Sequence, residues 1–321
     1  MADSILVTGG AGFIGSHLVD RLLADGHQVT VIDNFNSFYD PAIKRANIAA
    51  HLESERYRLV EGDIRDAEAV GRCFEWDEIT EVIHLAAMAG VRPSIQNPMH
   101  YQHVNLQGSM NIFEACRRHD IKKLIFASSS SVYGNNEKVP FAEDDFVDNP
   151  ISPYAATKKA GELLAYTYHH LYDIKTACLR FFTVYGPRQR PEMAIHLFTD
   201  RIWRGEEILM FGEGRSRRDY TFIDDIISGI LACRRYHYDF EVFNLGRSDT
   251  VELAELIGKI ETVLNKKARV TVKPNQPGDV NQTFADISKA RRMLDFEPKT
   301  SIDDGLRTFA DWYLKKQELA R

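Results

Sequence analysis

The chain has few cysteines, and they are too far apart to support a small disulfide-rich fold. Only four of its 321 residues are cysteines (Cys73, Cys116, Cys178 and Cys233), and no two of them form a Cys-x-x-Cys pair for zinc or redox chemistry. Isolated cysteines of this kind are typical of small buried apolar side chains in a reducing compartment. We therefore expect reduced thiols in the core of a cytoplasmic protein.

The chain also lacks a long apolar run and an excess of positive charge. No apolar run approaches the roughly 18 residues that a membrane span needs, and no basic and apolar leader precedes the first strand-like segment. The 40 basic and 46 acidic residues give a net charge of −6, which offers no overall attraction for nucleic acid or an anionic membrane. We predict that the protein binds neither of them, and we predict no metal site.

What the chain does have is the composition and alternation of an α/β protein. Hydrophobic residues make up 44% and charged residues 27% of the sequence, which suits a large core. The predicted strands are Ile5–Thr8, Gln28–Asp33, Arg58–Glu61, Glu81–Leu85, Lys123–Ser128 and Lys175–Phe181, and the predicted helices between them include Phe13–Ala24, Met99–Arg118 and Pro153–Leu171. This alternation predicts a doubly wound parallel sheet.

The looser pattern after about residue 187 predicts a second, smaller α/β domain. We assign residues 1–187 to the first domain and expect residues 218–249 to return to it. Residues 188–217 and 250–321 are assigned to the second domain. No low-complexity linker separates the two, so we expect the smaller domain to be interwoven with the larger one.

Three glycines follow the first predicted strand, at Gly9, Gly12 and Gly15. Residues without a Cβ let a pyrophosphate approach the first N–H groups of a helix, and here strand, glycines and helix occur in the required order. Asp33 ends the second strand, 18 residues after Gly15. A carboxylate there can bind the adenosine ribose 2′-hydroxyl and would repel a 2′-phosphate. The pattern predicts a Rossmann-type domain that binds NAD rather than NADP.

The residues after the third strand are a weaker part of the same pattern. Asp63 and Ile64 stand where they could contact the adenine ring. For Asp63, a helix N-cap is an equally good interpretation, because aspartate is one of the preferred residues at that position.

A tyrosine and a lysine one helical turn apart form the second constellation. Tyr154 and Lys158 share one face of a predicted helix, and an ammonium group favours the phenolate that a general base requires. The serine run 128–131 directly follows a strand, and its hydroxyls can hydrogen-bond a sugar hydroxyl. Alone, each feature is common on a solvated helix face or in a polar loop, but together they predict a catalytic site.

The glycine triplet, Asp33, the segment His84–Ala87, the serine run and the Tyr154/Lys158 pair together resemble the extended short-chain dehydrogenase/reductase family. The resemblance is to its NAD-dependent nucleotide-sugar epimerases and covers essentially the whole chain. Within that group, the chain is most similar to the epimerases that act on UDP-glucuronate, through the stretches Ala86–Ser94, Arg180–Pro187, Arg218–Asp225 and Gln276–Val280.

The resemblance implies a role for individual residues. It identifies Tyr154 as the catalytic base, Lys158 as its partner and Ser129 as the catalytic hydroxyl. The implied NAD contacts are Gly9, Gly12, Phe13, Ile14, Gly15, Asp33, Asn34, Asp63, Ile64, Leu85, Ala86, Ala87, Tyr154 and Lys158. The implied UDP-sugar contacts are Ser130, Ser131, Thr183, Arg190, Phe211, Arg218 and Asp279. The resemblance also implies a homodimer that forms through the helices around Asn105 and Ala160.

Some of these substrate contacts have a competing structural interpretation. The guanidinium groups of Arg190 and Arg218 suit a carboxylate and a diphosphate, but Arg190 is also acceptable as a surface loop residue. Phe211 can pack on uracil, although an aromatic ring at the end of a strand is more often part of a core. Asn105 resembles a family position that holds the active-site backbone.

The implied activity is inversion at C4 of UDP-glucuronate to UDP-galacturonate, through oxidation to a 4-keto sugar, rotation and re-reduction. Related dehydratases and decarboxylases carry an acid where Ser130 or Ser131 stands, so the reaction should stop at oxidation and re-reduction. The first alternative is epimerisation of UDP-glucose and UDP-galactose. The second is an NAD-sensing module without turnover, although such modules usually lack the Tyr/Lys pair.

Four residues at three sites bear on the choice of sugar. UDP-galactose epimerases carry Asn where this chain has Thr183, and Arg where it has Gln276, so both positions favour the uronate. The uronate enzymes usually carry Trp-Gly where this chain has Arg188-Gln189.

Overall fold

A computed structural model describes residues 3–76, 78–274 and 280–319. Its strands are β1 (Ser4–Thr8), β2 (Gln28–Asp33), β3 (Tyr57–Glu61), β4 (Glu81–His84), β5 (Lys123–Ser129), β6 (Lys175–Phe181), β7 (Thr183–Tyr185), β8 (Glu207–Phe211), β9 (Arg217–Arg218), β10 (Tyr220–Phe222), β11 (Phe240–Leu245), β12 (Val251–Glu252) and β13 (Arg269–Lys273). Its α-helices are α1 (Phe13–Ala24), α2 (Pro41–Ile48), α3 (Ala67–Arg72), α4 (Val91–Gln96), α5 (Pro98–Gln102), α6 (Ser109–Arg118), α7 (Pro153–Tyr172), α8 (Ala194–Arg204), α9 (Ile223–Arg235), α10 (Leu253–Leu264), α11 (Ser288–Leu294) and α12 (Ile302–Leu319). A π-helical turn covers His103–Gly108, and 3₁₀ turns cover Ala49–His51, Ser130–Tyr133 and Gly212–Gly214.

Seven strands form one parallel sheet in the order β11-β6-β5-β4-β1-β2-β3. Every residue of β1 and β4 is buried, as is typical of a parallel sheet that helices cover on both faces. Because β1 pairs with β2 on one side and with β4 on the other, the strand order reverses beside β1. Ligands of such sheets bind beyond the carboxyl ends of the strands at this switch point. The predicted doubly wound Rossmann-type fold is confirmed.

The chain divides into two compact units. Unit 1 comprises Met1–Gly134, Asp145–Arg180 and Ile230–Phe243, and unit 2 comprises Asn135–Asp144, Phe181–Gly229 and Asn244–Arg321. These bounds differ from the sequence-based ones, since residues 135–144 and 181–187 lie in unit 2 and only 230–243 return to unit 1. The reason is local pairing: β7 pairs in parallel with β10, and Phe141 forms a β-bridge with Ala285.

A buried ion pair joins β6 to α7 inside unit 1. Arg180 donates from Nε and Nη2 to the two carboxylate oxygens of Glu162, each at 2.9 Å. The Ser128 hydroxyl donates to the same carboxylate at 2.6 Å, and Arg180 Nη1 donates to the Tyr133 hydroxyl at 3.0 Å. The two charged side chains are only 2% and 4% exposed. A bidentate pair this well satisfied fixes α7 relative to the sheet.

Unit 2 is built from short strand pairs and packed helices. β7 and β10 are parallel, β8 and β13 are parallel, and β9 and β12 are antiparallel. Helix α10 packs against α8 and α12, and the imidazole of His196 on α8 contacts the rings of Phe309, Trp312 and Tyr313 edge-on.

Three composition-based expectations can be compared with the described part of the chain. The thiols of Cys73, Cys116, Cys178 and Cys233 are all buried and free, as predicted. Within residues 3–76, 78–274 and 280–319, no helix is both long and apolar enough to cross a membrane. Over the same residues, no group of three or more His, Cys, Asp or Glu side chains could hold a metal ion.

Most predicted element bounds agree with the structure, but one long helix does not. The segment predicted as a single helix, Met99–Arg118, is α5, the π-helical turn and α6 in succession. A π turn places one more residue in a helical turn than an α-helix does. Asn105 lies within this turn and is buried.

The buried ion pair predicts a large loss of stability when its acid is neutralised. Glu162→Gln keeps the shape of the side chain but leaves the Arg180 guanidinium without its counter-charge. We expect the free energy of unfolding to fall by about 3–5 kcal/mol. Urea denaturation followed by circular dichroism measures it.

The matched control is Glu61→Gln, which breaks the exposed pair with Arg45, whose side chains are 53% and 56% exposed. That change should cost at most about 1 kcal/mol. Equal losses in the two variants would contradict the structural role given to Glu162.

Candidate functional site

The loop between β1 and α1 is a close-fitting backbone turn. Gly9 has a φ of +71°, a conformation that residues with a Cβ rarely adopt. A Cβ on Gly15 would stand 2.2 Å from the carbonyl oxygen of Gly9, so the first turn of α1 packs directly on the loop. Gly12 is the N-cap and offers no side chain to the first N–H groups of α1, which include those of Phe13 and Ile14. These donors, with the helix dipole, fit a pyrophosphate.

Asp33, at the end of β2, is held against this loop. One carboxylate oxygen accepts from the Ala11 N–H at 3.1 Å and the other from the Phe35 N–H at 2.9 Å. Burial raises the pKa of Asp33, and these two hydrogen bonds oppose the rise. Each carboxylate oxygen can accept more than one hydrogen bond, so the group can still bind a ribose hydroxyl.

The structure brings Asn34 and Asp63 together. The Asn34 side chain donates to Asp63 Oδ2 at 2.7 Å, and Arg65 donates from Nη2 to the same oxygen at 2.8 Å. Hydrogen bonding from Arg65 lowers the pKa of Asp63 to about 2. The alternative that Asp63 caps a helix is wrong, because α3 is capped by Asp66. Ile64 is buried.

The segment after β4 lies against the glycine loop. Leu85, Ala86 and Ala87 are half-buried. The Ala86 N–H donates to Thr8 Oγ1 at 3.0 Å, and a Cβ on Gly9 would stand 3.0 Å from Ala86 Cα. The backbone on both sides of the switch point is therefore in contact, where a dinucleotide would bind.

His84, at the end of β4, has a structural role. Its Nδ1 lies 2.7 Å from Thr8 Oγ1 and its Nε2 lies 2.9 Å from Ser109 Oγ. The Ser109 hydroxyl donates to Asn105 O at 2.6 Å, so His84 must donate from Nε2 and accept at Nδ1. Complete burial lowers the pKa of His84 to about 3. The imidazole is therefore neutral at working pH. Its two hydrogen bonds connect β4 to β1 and to α6.

Asn105 in the π turn holds the backbone after β4 from both sides. Its Oδ1 accepts from the Met88 N–H at 2.8 Å, and its Nδ2 donates to Met88 O at 3.0 Å. Nδ2 also donates to Thr157 Oγ1 at 3.0 Å, and the Thr157 hydroxyl donates to Tyr154 O at 2.8 Å. The side chain thus connects the segment after β4 to the first turns of α7. The role implied for Asn105 is what its contacts show.

Tyr154 and Lys158 lie one turn apart near the start of α7. The helix starts where the Ser152 side chain accepts from the Ala155 N–H, followed by Pro153 in the first turn, a sequence typical of helix N-termini. Tyr154 is half-buried, and its ring meets that of Tyr101 edge-on at 6.2 Å. Lys158 is buried and donates from Nζ to Ala127 O at 2.6 Å. Burial lowers the pKa of Lys158 to about 8.

The serine loop leads from β5 into a 3₁₀ turn that packs against α7. Ser129 ends β5, and its Oγ accepts from the Ser131 N–H at 3.2 Å. Ser130 and Ser131 are half-buried. Ser128 belongs to the Glu162 ion pair instead. The three predicted hydroxyls therefore lie on the turn that contacts the helix of Tyr154.

Two predicted substrate residues lie close together in unit 2. The Thr183 N–H donates to Asp219 O at 3.1 Å, and Arg218 directly precedes Asp219. Arg218 is half-buried and donates from Nη1 to Arg217 O at 2.9 Å. Sequence reasoning assigned no role to Asp219, which is completely buried. The signal for it was an acid between a basic residue and an apolar strand.

The loop after β7 carries Arg190 and the departure at Arg188-Gln189. Arg190 is half-buried, and its Nε lies 3.1 Å from Glu192 Oε1. Gln189 is buried; its Nε2 donates to Val184 O at 3.0 Å, and its Oε1 accepts from the His196 N–H at 3.2 Å. Arg188 adopts a left-handed φ of +63°. Arg190 is therefore not a freely solvated loop residue.

Phe211 is half-buried at the end of β8, where it is paired with Lys273. A cavity of about 670 Å³ begins at the next residue, and its lining is Gly212, Glu213, Arg215, Ser216, Val272, Lys273, Pro274 and Asn281. Asp279, the remaining predicted substrate residue, lies outside the described residues, as does Gln276.

Comparison with known proteins agrees with this geometry. Residues 6–309 match the family model described as GDP-mannose 4,6 dehydratase. UDP-glucuronate 4-epimerase 3 of Arabidopsis thaliana is 45% identical over 329 aligned residues, which cover 97% of this chain and 76% of that protein.

Two solved structures have folds that are similar to the fold of this chain. The UDP-glucuronic acid 4-epimerase of Bacillus cereus, in complex with UDP-glucuronic acid and NAD, is 36% identical with a TM-score of 0.91 and covers 98% of this chain and 99% of its own. The UDP-glucose 4-epimerase of Thermotoga maritima with UDP-glucose is 34% identical with a TM-score of 0.90, with coverages of 98% and 99%. The chain belongs to the GDP-mannose 4,6-dehydratase family of extended short-chain dehydrogenase/reductases, among its NAD-dependent nucleotide-sugar epimerases.

Proposed function

We propose that the protein inverts C4 of UDP-glucuronate to give UDP-galacturonate and uses NAD as a resident cofactor. The observation that carries the proposal is the buried Lys158 one turn from the half-buried Tyr154, on a helix that Asn105 ties to the segment after β4. The similarity to UDP-glucuronate 4-epimerases supports the choice of sugar.

The cofactor residues fit NAD on structural grounds. Gly9, Gly12 and Gly15 allow the close turn at the start of α1, where a Cβ on Gly15 would clash with the carbonyl oxygen of Gly9, and Phe13 and Ile14 are the first donors of the helix. Asp33 would accept from the adenosine ribose, Asn34, Asp63 and Ile64 would lie by the adenine, and Leu85, Ala86 and Ala87 would line the middle of the cofactor. Bound NAD supplies a two-electron acceptor that takes a hydride from the sugar carbon and returns it.

The proton at O4 of the sugar is the part that this chain handles itself. Tyr154 takes this proton as the C4 carbon is oxidised, and returns it when the carbon is reduced again. The Lys158 ammonium, fixed by Ala127 O, stabilises the phenolate and can bind the cofactor ribose. Ser129 donates to O4 and orients it, with Ser130 and Ser131 beside it on the 3₁₀ turn.

The 4-keto sugar must turn over before it is reduced on its other face, so its binding has to be firm at the nucleotide and loose at the sugar. Arg218 would bind the diphosphate, Phe211 the uracil ring, and Asp279 is proposed from the resemblance alone. Ser130 and Ser131 provide hydroxyls and no carboxyl group, so neither of them can protonate a departing hydroxyl or an enol carbon.

The uronate adds a constraint of its own. Its 4-keto form is a β-keto acid, which loses CO₂ when the carboxylate bond aligns with the carbonyl π system. Arg190 can hold the carboxylate through paired hydrogen bonds away from that alignment, and we propose this role for it, with Thr183 at the same end of the substrate.

We also propose a homodimer in the cytoplasm. On the helices proposed for the dimer contact, the side chains of Met99, Leu163 and Tyr166 are 56%, 58% and 52% exposed, which is unusual for large apolar groups and suits a partner helix. Four buried, free thiols support the proposed location. Analytical ultracentrifugation tests the dimer.

Tyr154→Phe should abolish most of the proposed activity because it removes only the hydroxyl that moves the proton. We expect kcat for conversion of UDP-glucuronate to UDP-galacturonate to fall by about 10²–10⁴-fold, measured by NMR of the products. Tyr172→Phe, at the exposed end of the same helix, is the control and should leave kcat unchanged. If wild-type protein epimerises UDP-glucose and leaves UDP-glucuronate untouched, the proposed sugar is wrong.

Asp33 predicts a preference for NAD over NADP. A ribose 2′-phosphate would meet a buried carboxylate, so NADP should bind far more weakly than NAD to protein freed of its cofactor. Asp33→Asn keeps an acceptor for one backbone N–H but removes the charge, and it should reduce the preference about tenfold or more. Isothermal titration calorimetry with both dinucleotides measures this, with Asp25→Asn on the exposed end of α1 as the control. Equal binding of both cofactors by wild-type protein would contradict the role assigned to Asp33.

The depressed pKa of Lys158 predicts a distinct pH dependence of stability. The folded value is about 8 and the unfolded value is about 10.4, so between these two pH values the unfolded chain binds one proton more. Stability therefore rises with pH across that window. Relative to Lys158→Met, wild-type protein should gain about 3 kcal/mol in unfolding free energy from pH 8 to pH 10.5. Parallel curves for the two proteins would show that Lys158 is not desolvated.

A further inference from the structure

Asp219 lies at the point in unit 2 where two of the proposed substrate residues are attached. Arg218 precedes it in the chain, at the end of β9. The carbonyl oxygen of Asp219 accepts from the Thr183 N–H at 3.1 Å, and the Asp219 N–H donates to Thr283 O at 3.0 Å. The backbone of Asp219 therefore fixes the position of Thr183 and the orientation of Arg218 at the end of β9.

The carboxylate of Asp219 collects donors from separate segments. Oδ1 accepts from the Arg247 N–H at 2.8 Å and from the Thr221 hydroxyl at 3.1 Å. Oδ2 accepts from the Ser248 N–H at 3.0 Å and from the Ala285 N–H at 3.2 Å. One side chain thus ties together β10, the turn after β11 and the segment around residue 285.

The ionisation state of the Asp219 carboxylate is important, because its four hydrogen-bond donors are neutral dipoles that carry no opposite charge. Asp219 is fully buried, and burial raises its pKa to about 6, against the pull of the four hydrogen bonds. Its carboxylate is therefore ionised near pH 7.5, where it accepts from all four donors. An amide cannot do so, because its NH₂ group would face two donors instead of accepting from them.

We propose that Asp219 is a positioning residue that sets the affinity for the UDP moiety by holding Arg218 in place, while its backbone holds Thr183 at the sugar end. Its own side chain is completely buried and has no proposed contact with substrate or cofactor. The inference rests on the proposed roles of those two residues, and the effect is mechanical. If the four-donor cluster is broken, β9 and β7 lose their common anchor, and loss of a charge-assisted hydrogen bond from Arg218 to the diphosphate can cost about 10- to 100-fold in affinity.

The test compares Asp219→Asn with Asp225→Asn. Asp225 is also buried, and its two carboxylate oxygens accept from the Lys299 and Thr300 N–H groups at 2.9 and 3.0 Å. The two variants thus make the same chemical change to a buried carboxylate in the same unit. Affinity for UDP, a probe without the sugar, is measured by isothermal titration calorimetry, together with kcat and KM for UDP-glucuronate and the melting temperature.

For Asp219→Asn we expect the Kd for UDP and the KM to rise about 10- to 100-fold, with kcat changed less than about threefold. Asp225→Asn should lower the melting temperature without changing the Kd for UDP. Two substitutions of a single donor support the test if Asp219→Asn does not fold: Thr221→Val should weaken UDP binding, and Thr221→Ser, which keeps the hydroxyl, should restore it.

The possible outcomes distinguish the role of Asp219 from the proposed function. If wild-type protein does not bind UDP, the proposed function fails and the inference fails with it. Wild-type protein that binds UDP, with Asp219→Asn or Thr221→Val binding equally well, overturns the inference alone. The inference is also overturned if Asp225→Asn loses UDP affinity to the same extent, because the effect would then be general destabilisation.

Discussion

The side chain of Asn105 is where the chemical part of unit 1 is held together. Its amide binds both the N–H and the carbonyl of Met88 and donates to Thr157, one residue before Lys158. In a regular α-helix, Asn105 would follow the spacing of its neighbours. The π turn at His103–Gly108 instead adds one residue to the turn and so shifts the register of the helix by one residue. The position of α7 relative to the segment after β4 thus depends on a local irregularity in a neighbouring helix.

Several ionisable groups are buried in this protein, and they are stabilised in different ways. Glu162 and Arg180 neutralise each other, whereas Asp33 and Asp219 are held by N–H and hydroxyl dipoles and Lys158 by a carbonyl oxygen. For Asp33 and Lys158, desolvation shifts the pKa more than the opposite charge of Lys44 or Glu162 does, so burial dominates the electrostatics of both groups. Burial of these two charges lowers the stability of the fold around them. The proposed function nevertheless needs both groups, Asp33 and Lys158.

The sequence could predict the sheet because its strands are buried on both faces. β2 and β6 have the predicted bounds, and every residue after the first of each strand is buried, as is typical of a parallel sheet covered on both faces. It could not predict the π turn in the segment Met99–Arg118, because one extra residue in a turn does not disturb an amphipathic pattern visibly. Helices α3 and α4 were missed for a simpler reason: each has only six residues, too few to show a period.

The candidate site was predictable to the extent that its residues adjoin strand ends. Gly9, Asp33 and Ser129 all do so, and the sheet brings such positions to one edge. Asp219 was not predictable in this way, because its importance comes from donors that lie near residues 247 and 285, far away in the chain. Pairing between distant segments leaves no local signal, which is also why residues 135–144 and 181–187 were assigned to the first domain.

The loop of Arg188-Gln189 shows how hydrogen bonds within a loop can accommodate a departure from the family pattern. Gln189 closes the loop through its own amide, which donates to Val184 O and accepts from the His196 N–H. Hydrogen bonds therefore hold the loop here, and Arg190 stays half-buried beside Glu192. In the proposed function, a sugar carboxylate would have to compete with Glu192 for the guanidinium. Exchange of one carboxylate for another adds little net affinity, because the pair that forms replaces a pair that breaks. The contribution of Arg190 would then lie in the geometry it imposes on the uronate, which is the quantity that decides between epimerisation and loss of CO₂.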